Sequence, residues 1–431
     1  MRILYLCSDH GVDFSGVKGA SIHVRSFVQA LTALGHEVMV IGTKVSSPES
    51  FQAVTHATVV RAPLASWNRK LLRAMKAGNR LLGRSVSRGS DVIRALHNSE
   101  FCKVVDQFAT QLSPSFIYER YSLWGTVGCR LAKKWSIPLV LEVNSPLAYE
   151  EQYYRDGVAF PTLARRAEGH IWRTADLLIA VSQAFYSHFE EARVAREKVR
   201  ILPNAVDTSL FRGEACDGSL RSGMNLEGRF VVGFVGSFKA WHGVEFLFKA
   251  FARLRREDPL YHLLLVGDGP IRAALEDETR RLGLQGTVTF VGSVSHEDVP
   301  RYVAVMDVAV APYPPLVDFY YSPLKLYEYM AAGRAIVASK IGQVGEAVAD
   351  GVTGLLYEPN DLEGLLHCLR RLRSDDQLKT DLGRNARTAC CKNTWSESAT
   401  RVLSWVDPLL DQKRGRKSIA PLSRSAARLN A

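Results

Sequence analysis

The chain has 431 residues, of which 47% are hydrophobic and 23% are charged, and its formal net charge is +11. These fractions are ordinary for globular proteins and exclude a disordered or collagen-like chain. The basic residues are concentrated, because residues 51–90 contain eight Lys or Arg, residues 412–431 contain six, and neither segment contains an acid. The remainder is slightly acidic, which argues against a nucleic-acid enzyme, since such enzymes spread basic residues along a groove.

The length predicts two domains, because single hydrophobic cores stop growing near ~250–300 residues. No window of about 18 uncharged apolar residues occurs, so a membrane-spanning helix is not predicted. The short apolar start, residues 1–7, is followed at once by polar residues and is a poor secretory signal. The seven cysteines are irregularly spaced and form no CxxC pair, so we predict neither a zinc site nor disulfides and expect a cytoplasmic location.

The first half of the chain alternates short apolar strands with helical stretches. The predicted strands are 2–7, 37–42, 57–62, 115–119, 138–143, 176–181 and 199–203. The predicted helices lie near 21–34, 67–84, 92–112, 123–135, 161–174 and 183–192. Residues 205–229 contain four glycines and are predicted to form a linker.

The second half has a clearer rhythm of strands rich in Val, Leu and Ile. The predicted strands are 230–236, 261–267, 287–292, 307–312, 334–339 and 354–357, and the predicted helices include 243–256, one from Pro270 and 395–410. Such a pattern predicts parallel sheets covered by helices on both faces. The fold class is therefore α/β, with two doubly wound Rossmann-like domains at 1–204 and 230–394 that face each other across a cleft. Parallel sheets bind ligands at the carboxyl ends of their strands, so we expect the site in that cleft and a disordered tail at 412–431.

A glycine-rich loop at residues 8–21 leads from the first strand into a helix. Its glycines allow a ligand to approach the backbone, and a helix N-terminus offers free N–H groups to an anion. His23 lies in the first turn of that helix. Neither GxGxxG nor a P-loop sequence occurs, and a plain structural turn remains an equal alternative.

The stretch GSFKAWHG (236–243) also connects a buried strand to a helix. Lys239 and His242 near that helix start predict a second anion site, with a solvated loop as the alternative. No D-x-D sequence occurs, which argues against a metal that holds a diphosphate. Basic side chains and helix N-termini would balance that charge instead, so we predict activity without a metal.

The stretch richest in signals is FYYSPLKLYEYMAAGRAIVAS (319–339). Ser322 and Pro323 predict a helix start, and Lys325 and Glu328 follow three residues apart on one helix face. The helix N-terminus and Lys325 suit the phosphates of a nucleoside diphosphate, while Glu328 can accept hydrogen bonds from ribose hydroxyls. A surface salt bridge between Lys325 and Glu328 is the alternative.

Together these motifs resemble the retaining glycosyltransferases of the GT-B fold, family 4, over about residues 1–410. The most specific are PNAVD (203–207), GSFKAWHG (236–243), VGDGP (266–270), SPLKLYEYMAAG (322–333) and DGVTGLL (350–356). GVKGASIH (16–23) is similar to the family's glycine-rich loop. IYERYSLWG (117–125) and LEVNSPL (141–147) resemble stretches of a bacterial branch that builds surface polysaccharides.

The resemblance implies transfer of a sugar from a nucleoside-diphosphate sugar to an acceptor hydroxyl, with retention of anomeric configuration, in polysaccharide or glycolipid assembly. The C-terminal domain would hold the nucleotide, the N-terminal domain would hold a saccharide or lipid-linked acceptor, and helix 395–411 would cross back to the N-terminal domain. The implied catalytic residues are Glu328, Lys239 and Asn144. The implied donor-binding residues are Gly19, Ser237, His242, Val294, Tyr320, Ser322, Pro323, Leu324, Lys325 and Leu326. The implied acceptor-side residues are His23, Glu119 and Arg120.

The sequence departs from the family pattern at three places. Tyr320 stands where the family has the first Glu of its E-x7-E motif, which usually contacts the sugar, so Asp318, Tyr320 or a backbone group would take that role. Ser237 and His242 stand where an Arg and a Lys usually bind the diphosphate, so Lys239 is the predicted substitute cation. Asn144 replaces a His, and an amide can hydrogen-bond a sugar hydroxyl but cannot carry a proton.

No residue is a compelling covalent nucleophile. The predicted mechanism is therefore departure of the diphosphate through an oxocarbenium-like transition state, with attack by the acceptor from the same face. The leaving phosphate takes the acceptor's proton, and the protein supplies charge stabilisation and positioning. Two alternatives stay open: a nucleotide-sugar epimerase of the same fold, and a non-catalytic protein that binds a sugar nucleotide.

Residues 67–84 predict a basic amphipathic helix. At about 100° per residue, one stripe holds Arg69, Arg73, Lys76, Arg80 and Arg84, and another holds Trp67, Leu71, Met75 and Leu82. A basic helix without acids suits an anionic membrane surface, to which each Lys or Arg contributes about 1 kcal/mol. A domain helix with its apolar face on the core is the alternative.

Overall fold

The computed structural model describes residues 1–83, 90–153, 157–211 and 218–419. The chain divides into two compact units. The first comprises residues 1–181, 185–202 and the chain from residue 398 onward, and the second comprises residues 182–184 and 203–397. Each unit is built around one parallel sheet.

The first unit contains seven parallel strands. These are β1 Arg2–Cys7, β2 Glu37–Gly42, β3 Thr58–Arg61, β4 Phe116–Arg120, β5 Leu139–Val143, β6 Leu177–Ala180 and β7 Val199–Ile201. Their order in the sheet is β3-β2-β1-β4-β5-β6-β7. The helices are α1 Gly19–Ala33, α2 Pro48–Thr55, α3 Ser66–Leu81, α4 Ser90–Leu112, α5 Val127–Trp135, α6 Leu147–Tyr153, α7 Pro161–Thr174 and α8 Phe185–Glu191.

The second unit contains six parallel strands. These are β8 Phe230–Val235, β9 Tyr261–Val266, β10 Val288–Gly292, β11 Val308–Ala311, β12 Ala335–Ser339 and β13 Leu355–Tyr357, in the order β10-β9-β8-β11-β12-β13. The helices are α9 Ser219–Gly223, α10 Val244–Glu257, α11 Arg272–Arg281, α12 Val299–Ala304, α13 Leu324–Ala331, α14 Gly342–Ala347, α15 Leu362–Ser374 and α16 Asp376–Cys390. The final helix, α17 Trp395–Ile419, begins in the second unit and continues in the first.

The strand prediction and the α/β fold class, with two doubly wound parallel sheets, are confirmed. All thirteen predicted strands are present, and every pair of neighbouring strands is parallel. Strand β8 shows why a continuous apolar run predicts a strand of a covered parallel sheet. Val231 and Val235 join one buried cluster, and Val232 and Phe234 join the cluster on the opposite face. Within the described residues, no helix combines the length and apolar composition needed to cross a membrane.

The predicted linker is wrong where the structure describes it. Phe211 and Leu226 are 1% and 0% exposed and belong to the core of the second unit. Val206 forms a parallel bridge with Thr394, which ties this segment to the end of the same unit. The sequence signal was misleading because Gly218 precedes a short helix, α9, Gly223 ends it, and Gly228 takes a positive φ in the turn before β8.

Three helical segments also differ from the prediction. Helices α2 and α6 were not predicted, because each is short and lies in a polar stretch. Helix α17 extends to Ile419, so residues 412–419 are helical rather than disordered. The ion pair between Lys413 Nζ and Asp176 Oδ1, at 3.0 Å, holds this extension. The rest of the predicted tail, residues 420–431, lies outside the described residues.

Gly243, which precedes α10, gives a stability prediction. Its φ is +71°, and a Cβ there would lie 1.6 Å from the carbonyl oxygen of Pro312. Gly283 has a similar φ of +66°, but nothing lies within 4 Å of its Cβ position. Gly283→Ala should therefore lower the free energy of unfolding only by the cost of a left-handed backbone conformation, roughly 1–2 kcal/mol. We expect Gly243→Ala to cost about 1–3 kcal/mol more, because the backbone must move. Thermal unfolding of both variants checks this, and equal shifts in Tm would contradict it.

Candidate functional site

The strand order of the second sheet reverses between β8 and β11. From β8 the chain proceeds to β9 and β10 on one side, and then returns to β11 on the other. In sheets of this kind, ligands bind outside the carboxyl ends of the strands at the reversal. The loop GSFKAWHG (236–243) follows β8, and the segment that follows β11 leads into α13. This edge is the candidate site of the second unit.

Lys325 lies at this edge as a buried cation. Its residue is 9% exposed, and its Nζ lies 3.9 Å from the ring centroid of Phe234 and 5.6 Å from that of Tyr313. A Cβ on Gly236 would lie 2.6 Å from Nζ, so a side chain there would collide with the ammonium group. Burial lowers the pKa of Lys325 to about 7, although the Glu328 carboxylate acts in the opposite direction.

The salt bridge considered as an alternative, between Lys325 and Glu328, does not form. No ion pair of Lys325 occurs anywhere in the described part of the chain. Glu328 Oε1 instead accepts a hydrogen bond from His296 Nε2 at 2.9 Å. Sequence reasoning missed His296, which lies outside every motif that was singled out. A buried cation that faces aromatic rings and has no carboxylate partner is arranged to receive an anionic ligand.

His242 is a neutral side chain at the same edge. Burial, together with the charges of Lys325 and Lys239, lowers its pKa to about 3. Its Nδ1 donates to the backbone carbonyl oxygen of Ser237, which fixes the tautomer. The ring therefore adds no positive charge at neutral pH, in contrast to the prediction. Lys239 is exposed, with its Nζ 4.7 Å from the ring centroid of Trp241.

The start of α13 differs in detail from the prediction. Pro323 immediately precedes the helix, and no side chain caps it. Ser322 Oγ accepts a hydrogen bond from the backbone N–H of Asn204 at 2.8 Å. Ser322 therefore does not cap α13, but joins it to the PNAVD segment (203–207).

Two other predicted donor-binding side chains point into the protein. Tyr320 is completely buried, and its hydroxyl donates to that of Tyr321 at 3.1 Å. It is therefore not presented as a substitute for the family's first Glu. Leu326 is also completely buried and packs in the core, whereas Leu324 and Val294 are half-buried.

In the first unit, one buried carboxylate forms hydrogen bonds with three of the predicted site residues, His23, Arg120 and Asn144. Glu142, on β5, is 1% exposed and accepts hydrogen bonds from His23 Nε2 at 2.9 Å, from the Tyr118 hydroxyl at 2.6 Å, and from Arg120 and Asn144. Burial alone would raise the pKa of Glu142, but His23 and Arg120 together hold it well below its usual range. Sequence reasoning missed Glu142, although an acid inside the apolar strand 138–143 was a usable signal.

Glu119 does not belong to this cluster. It precedes Arg120 on β4, so the two side chains point to opposite faces of the sheet. Glu119 packs beside Gly128, whose Cβ position would collide with Oε2, and burial raises its pKa to about 8. Of the residues expected on the acceptor side, His23 and Arg120 therefore join the Glu142 cluster, whereas Glu119 lies on the other face of the sheet. Gly19 is the first residue of α1 and is exposed.

Two family models match the chain, one on each half. "Glycosyltransferase Family 4" matches residues 17–210, and "Glycosyl transferases group 1" matches residues 229–375. The match boundary therefore lies between the two parallel sheets.

Characterised relatives are similar at low identity. Alpha-D-kanosaminyltransferase of Streptomyces kanamyceticus is 28% identical over 255 residues, which are 58% of this chain and 65% of that protein. Glycogen synthase of Mycobacterium tuberculosis is 25% identical over 432 residues, which cover 98% of this chain and 97% of that protein.

Solved structures share the fold. Sucrose-phosphate synthase from Thermosynechococcus elongatus has a TM-score of 0.73 at 23% identity, covering 96% of this chain and 100% of that one. HepE of Anabaena, solved in complex with UDP, has a TM-score of 0.72 at 20% identity, covering 95% and 100%. The two glycosyltransferase family models together cover most of the chain, at residues 17–210 and 229–375, so the protein belongs to the glycosyltransferases, and the solved structures show that its fold is GT-B.

Proposed function

We propose that this glycosyltransferase moves a sugar from a nucleoside-diphosphate sugar to an acceptor hydroxyl with retention of anomeric configuration, in the assembly of a cell-surface polysaccharide or glycolipid. The observation that carries the donor assignment is Lys325, a buried cation without a carboxylate partner at the strand reversal. The UDP and UDP-glucose complexes of HepE support a nucleotide donor by analogy.

In the proposed reaction, the bond between the sugar C1 and the diphosphate oxygen breaks first. The sugar develops oxocarbenium character, and the acceptor oxygen forms the new bond to C1 on the same face. The acceptor proton passes to the leaving diphosphate. Lys325 and the N-terminus of α13 stabilise the negative charge that develops on the diphosphate. Glu328 accepts hydrogen bonds from the donor ribose.

The acceptor is assigned to the first unit. Glu142 holds His23, Arg120 and Asn144 in one buried cluster, which suits a set of fixed donors and acceptors for sugar hydroxyls. Incubation of the purified protein with labelled UDP, GDP and ADP sugars and candidate acceptors tests the whole proposal. Nucleotide release that requires an acceptor, with an α-linked product from an α-linked donor, is expected. A product of inverted configuration would overturn the assignment of retention.

Glu328→Gln keeps the shape of the side chain and removes its charge. We expect at least a tenfold loss of transferase activity, because an amide is a weaker acceptor for ribose hydroxyls. Folding should be intact, which circular dichroism and thermal unfolding would check. Steady-state kinetics equal to those of the parent protein would remove Glu328 from the donor site.

Donor binding should weaken as the pH rises above 7. Lys325 has a pKa of about 7 beside Phe234, Tyr313, the neutral His242 and Glu328. A bound diphosphate raises that pKa, so binding takes up a proton when the free amine is neutral. The dissociation constant of UDP should therefore increase by up to about tenfold per pH unit above 7.

Lys325→Gln is the matched variant for this titration. It should bind UDP more weakly at pH 7 and show little change between pH 7 and pH 9, because no group at that position takes up a proton. Isothermal titration calorimetry at several pH values measures both proteins. The same pH slope in the two proteins would show that another group titrates.

We also propose that the reaction needs no metal. The sequence lacks D-x-D, and among the described residues no three His, Cys, Asp or Glu side chains are grouped to hold a metal ion. Lys325, Lys239 and the α13 N-terminus provide the positive charge. Activity should be the same within about twofold after EDTA treatment. Loss of activity that added magnesium or manganese restores would contradict this prediction.

We propose that α3 attaches the enzyme to an anionic membrane surface, at the cytoplasmic face. Much of its apolar face is uncovered, since Trp67, Leu71 and Leu81 are 47%, 39% and 89% exposed, Leu72 and Met75 are half-buried, and Asn68 is the single buried residue of this helix. Arg69, Lys70, Arg73 and Arg80 are exposed on the same helix. Predicted stripe residue Arg84 lies outside the described residues. The six cysteines in the described ranges are free thiols, as in a reducing cytoplasm.

Sedimentation with liposomes checks this attachment. The protein should pellet with anionic vesicles and stay largely in solution with neutral ones, and added salt should release it. Replacing Arg73, Lys76 and Arg80 with Glu should abolish pelleting, because attraction becomes repulsion.

The control for charge alone reverses three exposed basic residues of the second unit, Lys249, Arg253 and Arg256 on α10. This variant has the same change in net charge and should still pellet. Equal recovery of the parent protein with anionic and neutral vesicles would argue against attachment. An equal loss of pelleting in the α3 and α10 variants would show that net charge alone causes the binding, which would contradict a role of α3.

A further inference from the structure

The hydrogen bond between Glu328 and His296 has no role in the function proposed so far. Glu328 lies in the second turn of α13, and His296 lies in the loop between β10 and α12. His296 Nε2 and Glu328 Oε1 are 2.9 Å apart, and the two side chains are only 11% and 9% exposed. A carboxylate cannot donate, so the proton of this bond is on Nε2. Two elements that are separate in sequence are thus joined at the predicted donor carboxylate.

His296 is itself held in place. Its neighbour Ser295 donates its hydroxyl proton to Asp298 Oδ2 at 2.7 Å, and the backbone N–H of Asp298 bonds back to Ser295. The ring centroid of Phe211 lies 6.0 Å from that of His296. The loop therefore presents the imidazole from a fixed backbone, which is what a positioning residue requires.

The bond leaves one carboxylate oxygen for other partners. Oε1 of Glu328 is occupied by His296, and no hydrogen bond to Oε2 occurs in the ranges that the structure describes. Lys325 lies one turn away, and the negative charge of Glu328 offsets part of the lowering of the Lys325 pKa by burial. Without His296, the carboxylate could rotate toward Lys325 and neutralise the cation that the phosphates need.

We propose that His296 is a positioning residue for donor recognition, which holds Glu328 so that Oε2 accepts a hydrogen bond from a ribose hydroxyl. This inference rests on the proposed use of a nucleotide donor. A carboxylate that is already fixed loses less side-chain entropy when the ribose binds. It also stays away from Lys325, so ribose binding and phosphate binding do not compete for the same charge.

The test compares two nucleotides and two substitutions. The probes are UDP and 2′,3′-dideoxy-UDP, with the GDP and ADP pairs used if UDP does not bind, and calorimetry gives the dissociation constants. The parent protein should prefer the ribonucleotide by at least tenfold. His296→Leu should lose that preference, because the carboxylate is no longer fixed. His296→Gln should largely keep it, since its amide N–H lies near the position of Nε2–H.

Preference for ribose separates this role from a merely structural one. A general loss of stability would weaken the binding of both nucleotides equally and leave the ratio of their dissociation constants unchanged. In a Glu328→Gln background, His296→Leu should have little further effect on the ratio, because the two residues act as one unit. His367→Leu, at an exposed position on α15, is the control for loss of a histidine and should preserve the preference.

The outcomes distinguish the inference from the function on which it rests. If the parent protein binds none of UDP, GDP and ADP, the proposed donor class is wrong. If it binds a nucleotide and prefers ribose, but His296→Leu keeps that preference, the role of His296 is overturned while the donor class stands. Loss of preference in His296→Leu with rescue in His296→Gln supports the inference.

Discussion

A buried ammonium group without a carboxylate partner is the constraint on which the site of the second unit depends. Burial disfavours the charged form of Lys325, and the faces of Phe234 and Tyr313 offset only part of that cost. The neighbours are arranged accordingly, because Gly236 leaves room for the ammonium group and His242 stays neutral. An anion that binds here relieves an existing electrostatic cost, which is the physical reason behind the proposed diphosphate site.

The first unit contains the opposite arrangement. Its buried charge is the carboxylate of Glu142, and that charge is fully supplied with donors from His23, Tyr118, Arg120 and Asn144. Such a saturated cluster does not attract a counter-ion but fixes the orientation of its members. One unit thus offers unbalanced charge, and the other offers polar groups in fixed positions. This division matches a reaction in which a charged donor and a hydroxyl acceptor must both be held.

The relatives show why the fold and the site have to be argued separately. Solved structures at 20% and 23% identity share this fold over 95% and 96% of the chain. The residues that differ from the expected family pattern, Ser237, His242, Tyr320 and Asn144, lie in the connections that follow strands, where a doubly wound sheet carries its chemistry. Parallel strands tolerate such changes because their stability comes from buried Val, Leu and Ile. Among relatives of such low identity, we therefore expect the type of reaction to be shared more often than the identity of the sugar.

The sequence by itself determined the sheets, because each strand is a local apolar run that a parallel sheet buries on both faces. It also placed Lys325 and Glu328 on one helix, since helical spacing is local. Tertiary structure decided their partners: His296 reaches Glu328 across 32 residues, and His23 reaches Glu142 across 119. It also decided that Tyr320 is buried and that Glu119 faces away from Arg120. The charge states of Lys325 and His242 were decided in the same way, because desolvation depends on the groups that the whole fold brings around a side chain, and no local pattern encodes it.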